Sequence, residues 1–150
     1  MPPATLEESR SSTGFAEELI AEWRPLKWRF VPGLKPALRA ELNQLAALQP
    51  NWDGYGAPRI SPAVIDAARQ FIDRLPEYVS SRPAIVPMSP GNLQLEWHEG
   101  ERVLELEFET PDTIHYLKWD PSEGAEEEDA FPATDLGRAV HLIQWFTKSE

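Results

Sequence analysis

Histidine and carboxylate alternate along one stretch of this chain, and any chemistry would be built there. Glu96 and His98 stand two residues apart, Glu105, Glu107 and Glu109 follow in the next run, and His115 lies beyond a further turn. A period of two puts such residues on one side of a strand, and a hairpin would bring the two runs together. Imidazole and carboxylate groups form a donor set for a divalent cation, and the same groups can exchange protons in acid–base catalysis. Glu96, His98 and Glu107 are the ligands a metal-dependent enzyme of this kind would use. The bland reading has the same spacing: a half-exposed antiparallel strand whose outward residues are acidic and solvated. His141 stands among apolar neighbours in a helical pattern and reads as a boundary residue. The sequence has no H-E-x-x-H, G-x-S-x-G, G-x-G-x-x-G or P-loop motif, and it has no cysteine. Nucleophiles narrow to Ser, Thr, Lys or a carboxylate, none with a base at a telling position. No catalytic residue is assigned and no cofactor is expected, so the enzyme reading comes second.

Two charged segments offer binding chemistry instead. Arg24, Lys27, Arg29, Lys35 and Arg39 occur with no acid from residue 23 through 40, interleaved with Trp28 and Phe30. Such a strap can stack on and neutralise a single nucleic-acid strand, contact a protein partner through Trp28 and Arg29, or pack on the body of the domain. Residues 120 to 129 hold six acids and no base, among them Glu126, Glu127 and Glu128. Charge of that density resists burial without partners, so this stretch is expected to be a mobile loop. Its functional reading is mimicry of a phosphate run that occupies a basic groove.

Between two helical patterns lies Asn51-Trp52-Asp53-Gly54-Tyr55-Gly56-Ala57-Pro58. Glycines at alternate positions permit positive φ, and Asn51 and Asp53 can bond downstream amides, which predicts a tight knot. Trp52 and Tyr55 have apolar bodies with polar tips, suited to plugging a groove or docking a partner. The run lacks the carboxylate spacing of a calcium loop. Together with Ile60-Ser61, Ala67, Phe71 and Leu75-Pro76, and with Pro83 to Pro87, Gly91 and Leu95-Glu96-Trp97, it resembles a group of small uncharacterised bacterial proteins. The resemblance spans roughly residues 40 to 118. It implies the fold boundaries and a bacterial or phage source, and carries no activity or catalytic residue.

The elements that must position these residues follow from periodicity. A polar arm covers 1–13, and one α+β domain covers 14–150, with 120–129 as its acidic loop. Phe15, Leu19, Ile20 and Trp23 predict a short helix ended by Pro25. Leu38, Leu42, Leu45 and Leu48 predict a helix from about Pro36 to Gln49. Val64, Ile65, Ala68, Phe71, Ile72 and Leu75 predict another, with Ser61 as N-cap and Pro62 in its first turn. From 83 to 119 the period changes to two, through a proline-bounded edge piece and turns at Pro90-Gly91, Glu99-Gly100 and Pro111-Asp112. Leu136, Val140, Ile143, Trp145 and Phe146 predict a last helix capped by Thr134 or Asp135. The expected fold is α+β: two N-terminal helices joined by a Gly-rich turn, a three- to four-stranded antiparallel meander, and a C-terminal helix.

Composition bounds the rest. In 150 residues, 41% hydrophobic content and six tryptophans suit one folded core. A net charge of −11 disfavours direct nucleic-acid binding and favours a basic protein partner. The absence of cysteine fits a reducing compartment. No apolar run is long enough for a membrane span, and the Met-Pro-Pro start lacks a signal-peptide pattern, so a cytoplasmic protein is expected. The leading expectation is a non-catalytic interaction module, an accessory subunit or an antitoxin-like binder, with contacts at Trp28, Arg29, Trp52, Tyr55 and Glu126 to Glu128.

Overall fold

A computed structural model describes residues 33–148. The order is α1 (Leu34–Ala46), α2 (Pro62–Arg74), β1 (Ala84–Met88), β2 (Asn92–Glu99), β3 (Arg102–Phe108), β4 (Thr113–Asp120), β5 (Ala125–Pro132) and α3 (Leu136–Lys148). The five strands form one antiparallel meander in the order β1-β2-β3-β4-β5. The expected arm over 1–13, the helix near residues 15 to 23, and the strap residues Trp28 and Arg29 lie outside the described residues.

The α+β class stands, with two corrections. The meander has five strands, one more than the upper expectation of four. The stretch 120–129 is no loop: four residues turn between β4 and β5, and Ala125 onward is strand. Water explains how four consecutive acids can form a strand. Glu126 to Asp129 are all exposed, so none needs burial, while pairing with β4 satisfies their backbone groups. Asp120 shapes the turn by accepting from the Ser122 amide at 2.9 Å, and its main-chain oxygen accepts from Glu123 and Gly124.

Register sorts the residues into two faces. Leu93, Leu95 and Trp97 pair with Phe108, Leu106 and Leu104, and Leu106 and Phe108 pair onward with Tyr116 and Ile114. All of these are buried, in one core with Leu38 and Leu42 of α1, Phe71 and Ile72 of α2, and Ile143 and Phe146 of α3. Phe71 meets Phe108 edge-on, with ring centroids 5.5 Å apart, a favoured aromatic geometry. Each fully buried leucine contributes about 1.5–3 kcal/mol through removal from water. The three described helices therefore cover one face of the sheet.

Local chemistry fixes the helix ends. Ser61 Oγ accepts from the Val64 amide at 3.4 Å, with Pro62 opening α2. Asp135 caps α3 by accepting from the Arg138 amide at 3.1 Å. Lys35 reaches Glu77 at 3.2 Å and Arg39 reaches Asp73 at 2.8 Å, which ties α1 to α2. Among the described residues, no helix is long and apolar enough to cross a membrane.

The β1–β2 turn is locked to the entry of α2. Gly91 has φ 108°, its carbonyl accepts from the Ser61 amide at 2.9 Å, and a Cβ on it would lie 3.2 Å from the Arg59 carbonyl oxygen. Backbone strain and close approach act together here. Gly91→Ala is expected to lower stability by about 1–3 kcal/mol in urea unfolding. An unchanged midpoint would show that this junction yields freely.

Candidate functional site

The second face of the sheet carries the sequence-predicted histidines and carboxylates. Cross-strand rows on it run His98–Val103–Trp119–Glu126, then Ala84–Glu96–Glu105–Leu117–Glu128, then Val86–Gln94–Glu107–His115–Ala130. Glu96, His98, Glu105, Glu107 and His115 thus share a face, as the period of two requires. Their side chains do not converge on one point. His98 Nε2 lies 3.4 Å from Glu96, His115 Nε2 lies 2.8 Å from Glu109, and Glu107 accepts from Asn92 at 3.3 Å. Among the described residues, no group of three or more His, Asp or Glu side chains is arranged to hold a metal ion. Glu96, His98 and Glu107 are therefore neighbours on a surface and do not form a coordination sphere.

This face is more apolar than its charges suggest. Val103, Leu117 and Trp119, each half-buried, line a shallow depression of about 440 Å³ together with Glu105 and Glu126. Sequence reading missed this patch, because β4 is apolar on both sides. Ile114 and Tyr116 point to the core, whereas Leu117 and Trp119 belong to the opposite parity. Only pairing with Val103 makes a patch of them. The available signal was the two-residue spacing of Leu117 and Trp119, out of step with Ile114 and Tyr116.

Electrostatics sharpen the picture. Burial pushes the Glu105 carboxyl above its ordinary pKa of 4.5, and Glu96, directly opposite, adds like-charge repulsion. Nearby His98 opposes the shift, whereas Glu107 and Glu126 reinforce it. No ion pair to Glu105 is formed among the described residues. The β5 carboxylates divide by parity. Glu126 and Glu128 join the outer face. Glu127 lies on the helix side, where it accepts from the Tyr116 hydroxyl at 2.5 Å and sits 3.7 Å from Lys118 Nζ. Burial and that bond raise the Tyr116 pKa.

The loop between α1 and α2 is the knot its sequence predicts. Asn51 Oδ1 accepts from the Gly56 amide at 2.6 Å, and Asp53 Oδ1 accepts from the amides of Tyr55 and Ala57 at 2.8 and 3.1 Å. Those amides hold the Asp53 carboxyl below its ordinary range. Asn51, Gly54 and Gly56 take φ of 70, 78 and 85°. Trp52 is half-buried: it packs against the core, and its indole N–H donates to the Pro58 carbonyl at 2.8 Å. Tyr55 is the aromatic that faces outward, at 93% exposure. The basic strap loses two members to structure, since Lys35 and Arg39 are engaged by Asp73 of α2, and Lys35 also by Glu77 just beyond it.

No protein-family model, curated protein or solved structure matches the chain. The outer face of the sheet is therefore judged on its own geometry.

Linkage gives this geometry a sign. A carboxyl whose pKa is raised by folding is favoured in its protonated form, so its ionisation costs stability as pH rises past 4.5. Glu105→Gln is expected to stabilise the protein at neutral pH by about 0.2–1 kcal/mol, the scale of a like-charge cross-strand pair. The difference should vanish below pH 4.5, where the wild-type carboxyl is itself neutral. Paired thermal melts at the two pH values check this, and a destabilised variant at neutral pH would contradict it.

Proposed function

We propose that this chain is a non-catalytic interaction module that binds a basic protein. It would act as an accessory subunit of a bacterial or phage complex, or as an antitoxin-like inhibitor. The observation that carries the reading is the outer face of the sheet, where Val103, Leu117 and Trp119 form an apolar patch among Glu96, Glu105, Glu126 and Glu128. An apolar centre with a charged rim is the usual anatomy of a protein interface, and aromatic side chains are frequent anchors in it. The carboxylates steer a cationic partner toward the patch and repel phosphate backbones, in line with a net charge of −11.

Tyr55 adds a second anchor to this reading. The hydrogen bonds that fix its loop are made before any partner arrives, so docking it orders little new chain. Trp28 and Arg29 lie outside the described residues and carry no part of the argument.

The test compares capture by tagged wild type with two surface variants. Leu117→Lys puts a cation into the depression, and Tyr78→Ala alters a distant residue that is 68% exposed. A stoichiometric partner of net positive charge is expected with wild type and with Tyr78→Ala, weakening with added salt and lost with Leu117→Lys. A partner retained by Leu117→Lys, or none with wild type, would overturn the reading.

A further inference from the structure

The protein already contains one guanidinium seat, and its chemistry is instructive. Arg102 opens β3 and turns to the helix side. Its guanidinium carbon lies 5.1 Å from the Trp145 ring centroid and 4.9 Å from that of Phe146. Its Nε donates to Asp120 at 3.0 Å, and its two terminal nitrogens donate to the carbonyls of Phe146 and Trp145 at 2.7 and 3.1 Å. The Trp145 indole is shared by two cations: the Lys118 ammonium lies 4.7 Å from its centroid, and the Arg102 guanidinium lies over it while donating to a carboxylate and two carbonyls at once, which an ammonium cannot do equally well.

The same pair of groups recurs on the other face of the same strand. Trp119 precedes Asp120 in β4, and its direct cross-strand partners are Val103 and Glu126. Glu105 lies on the diagonal, within reach of a group centred on the indole. All four of these residues, with Leu117, line the depression. Among the described residues no cation lies over Trp119, and neither Glu105 nor Glu126 forms an ion pair. Resting on the interaction reading above, we infer that the depression over Trp119 is a seat for an arginine side chain of the basic partner. The guanidinium stacks on the indole and donates to Glu126 on one side and Glu105 on the other, while Val103 and Leu117 pack against its methylene stem.

Lysine fits this seat less well. Its ammonium is a compact, strongly hydrated charge that can sit over an indole, as Lys118 does over Trp145 at 4.7 Å, but it cannot lie flat on the ring and donate to a carboxylate on either side at once. Charge complementarity alone would accept either residue, so discrimination between them is the signature of the seat. Occupancy also relieves the crowding of Glu105 against Glu96, because the bound cation neutralises the repulsion that burial intensifies.

The test uses the full chain and two capped peptides, tetra-arginine and tetra-lysine, followed through the indole N–H resonance of Trp119. Trp119→Phe serves only to assign that resonance. The expected result is a saturable shift with half-saturation about 2- to 5-fold lower for tetra-arginine, the range of an exposed cation–π contact. Glu126→Gln, a surface change, should raise the half-saturation of tetra-arginine while the protein stays folded, because one of the two carboxylates that the guanidinium meets is lost. Equal half-saturation for the two peptides would show that the face reads charge alone, and overturn the seat. An unmoved Trp119 resonance with both peptides would overturn it too. Either failure is separable from failure of the broader reading, which is judged by capture of a basic partner and its loss in Leu117→Lys.

Discussion

A period of two, kept in register across three strands, is the constraint on which this protein rests. Leu95, Leu106 and Tyr116 lie on one rung, with Leu93, Phe108 and Ile114 on the next but one. Each described helix buries its stripe in the core that those rungs form. A slip of one residue would turn Gln94, Glu96, Glu105 and Glu107 toward the helices and leave the leucines in water. The core and the acidic face are therefore one property seen from two sides. Whatever sets the register for packing also sets which carboxylates are presented outward.

Arg102 and the Asn51–Ala57 knot secure the ends of this arrangement. By joining the start of β3, the end of β4 and the last carbonyls of α3, Arg102 satisfies helix-end acceptors that have no partner within the helix. Its charge is matched by Asp120, which is 6% exposed and also shapes the β4–β5 turn. At the other side of the layer, Trp52 closes the α1–α2 connection with one hydrogen bond and its ring. Both devices place a large planar group where separate elements meet.

Much of this was legible in the residues themselves. The stripes of α1, α2 and α3, the cap at Ser61 and the alternation of β2 and β3 follow from local periodicity and turn chemistry. What escaped was set by register. Glu126 to Asp129 have neither β-branched residues nor alternation, so nothing local marks β5, and its pairing comes from β4. The patch of Val103, Leu117 and Trp119 is split over two strands, and parity can be assigned only once partners are known. That Trp52 and not Tyr55 plugs the groove depended on the Pro58 carbonyl, which no spacing rule supplies. The histidines showed the converse. Sequence placed His98 with the carboxylates and left His115 to the register, which puts it on the same face, but a shared face does not mean a shared point.

The acids of β5 have a further consequence. β1 and β5 are the outer strands of the described sheet, and an outer strand offers unpaired amides and carbonyls to any passing chain. On β1 that invitation is blunted by Pro87, which lacks an amide hydrogen. On β5 a proline stands only at the end, Pro132, and along Glu126 to Asp129 the invitation is blunted by ionisation. Two copies meeting along β5 would bring eight carboxylates into a few ångströms of one another. Along that stretch the barrier to edge-to-edge pairing is therefore electrical and reversible, set by the acidity and ionic strength of the surroundings.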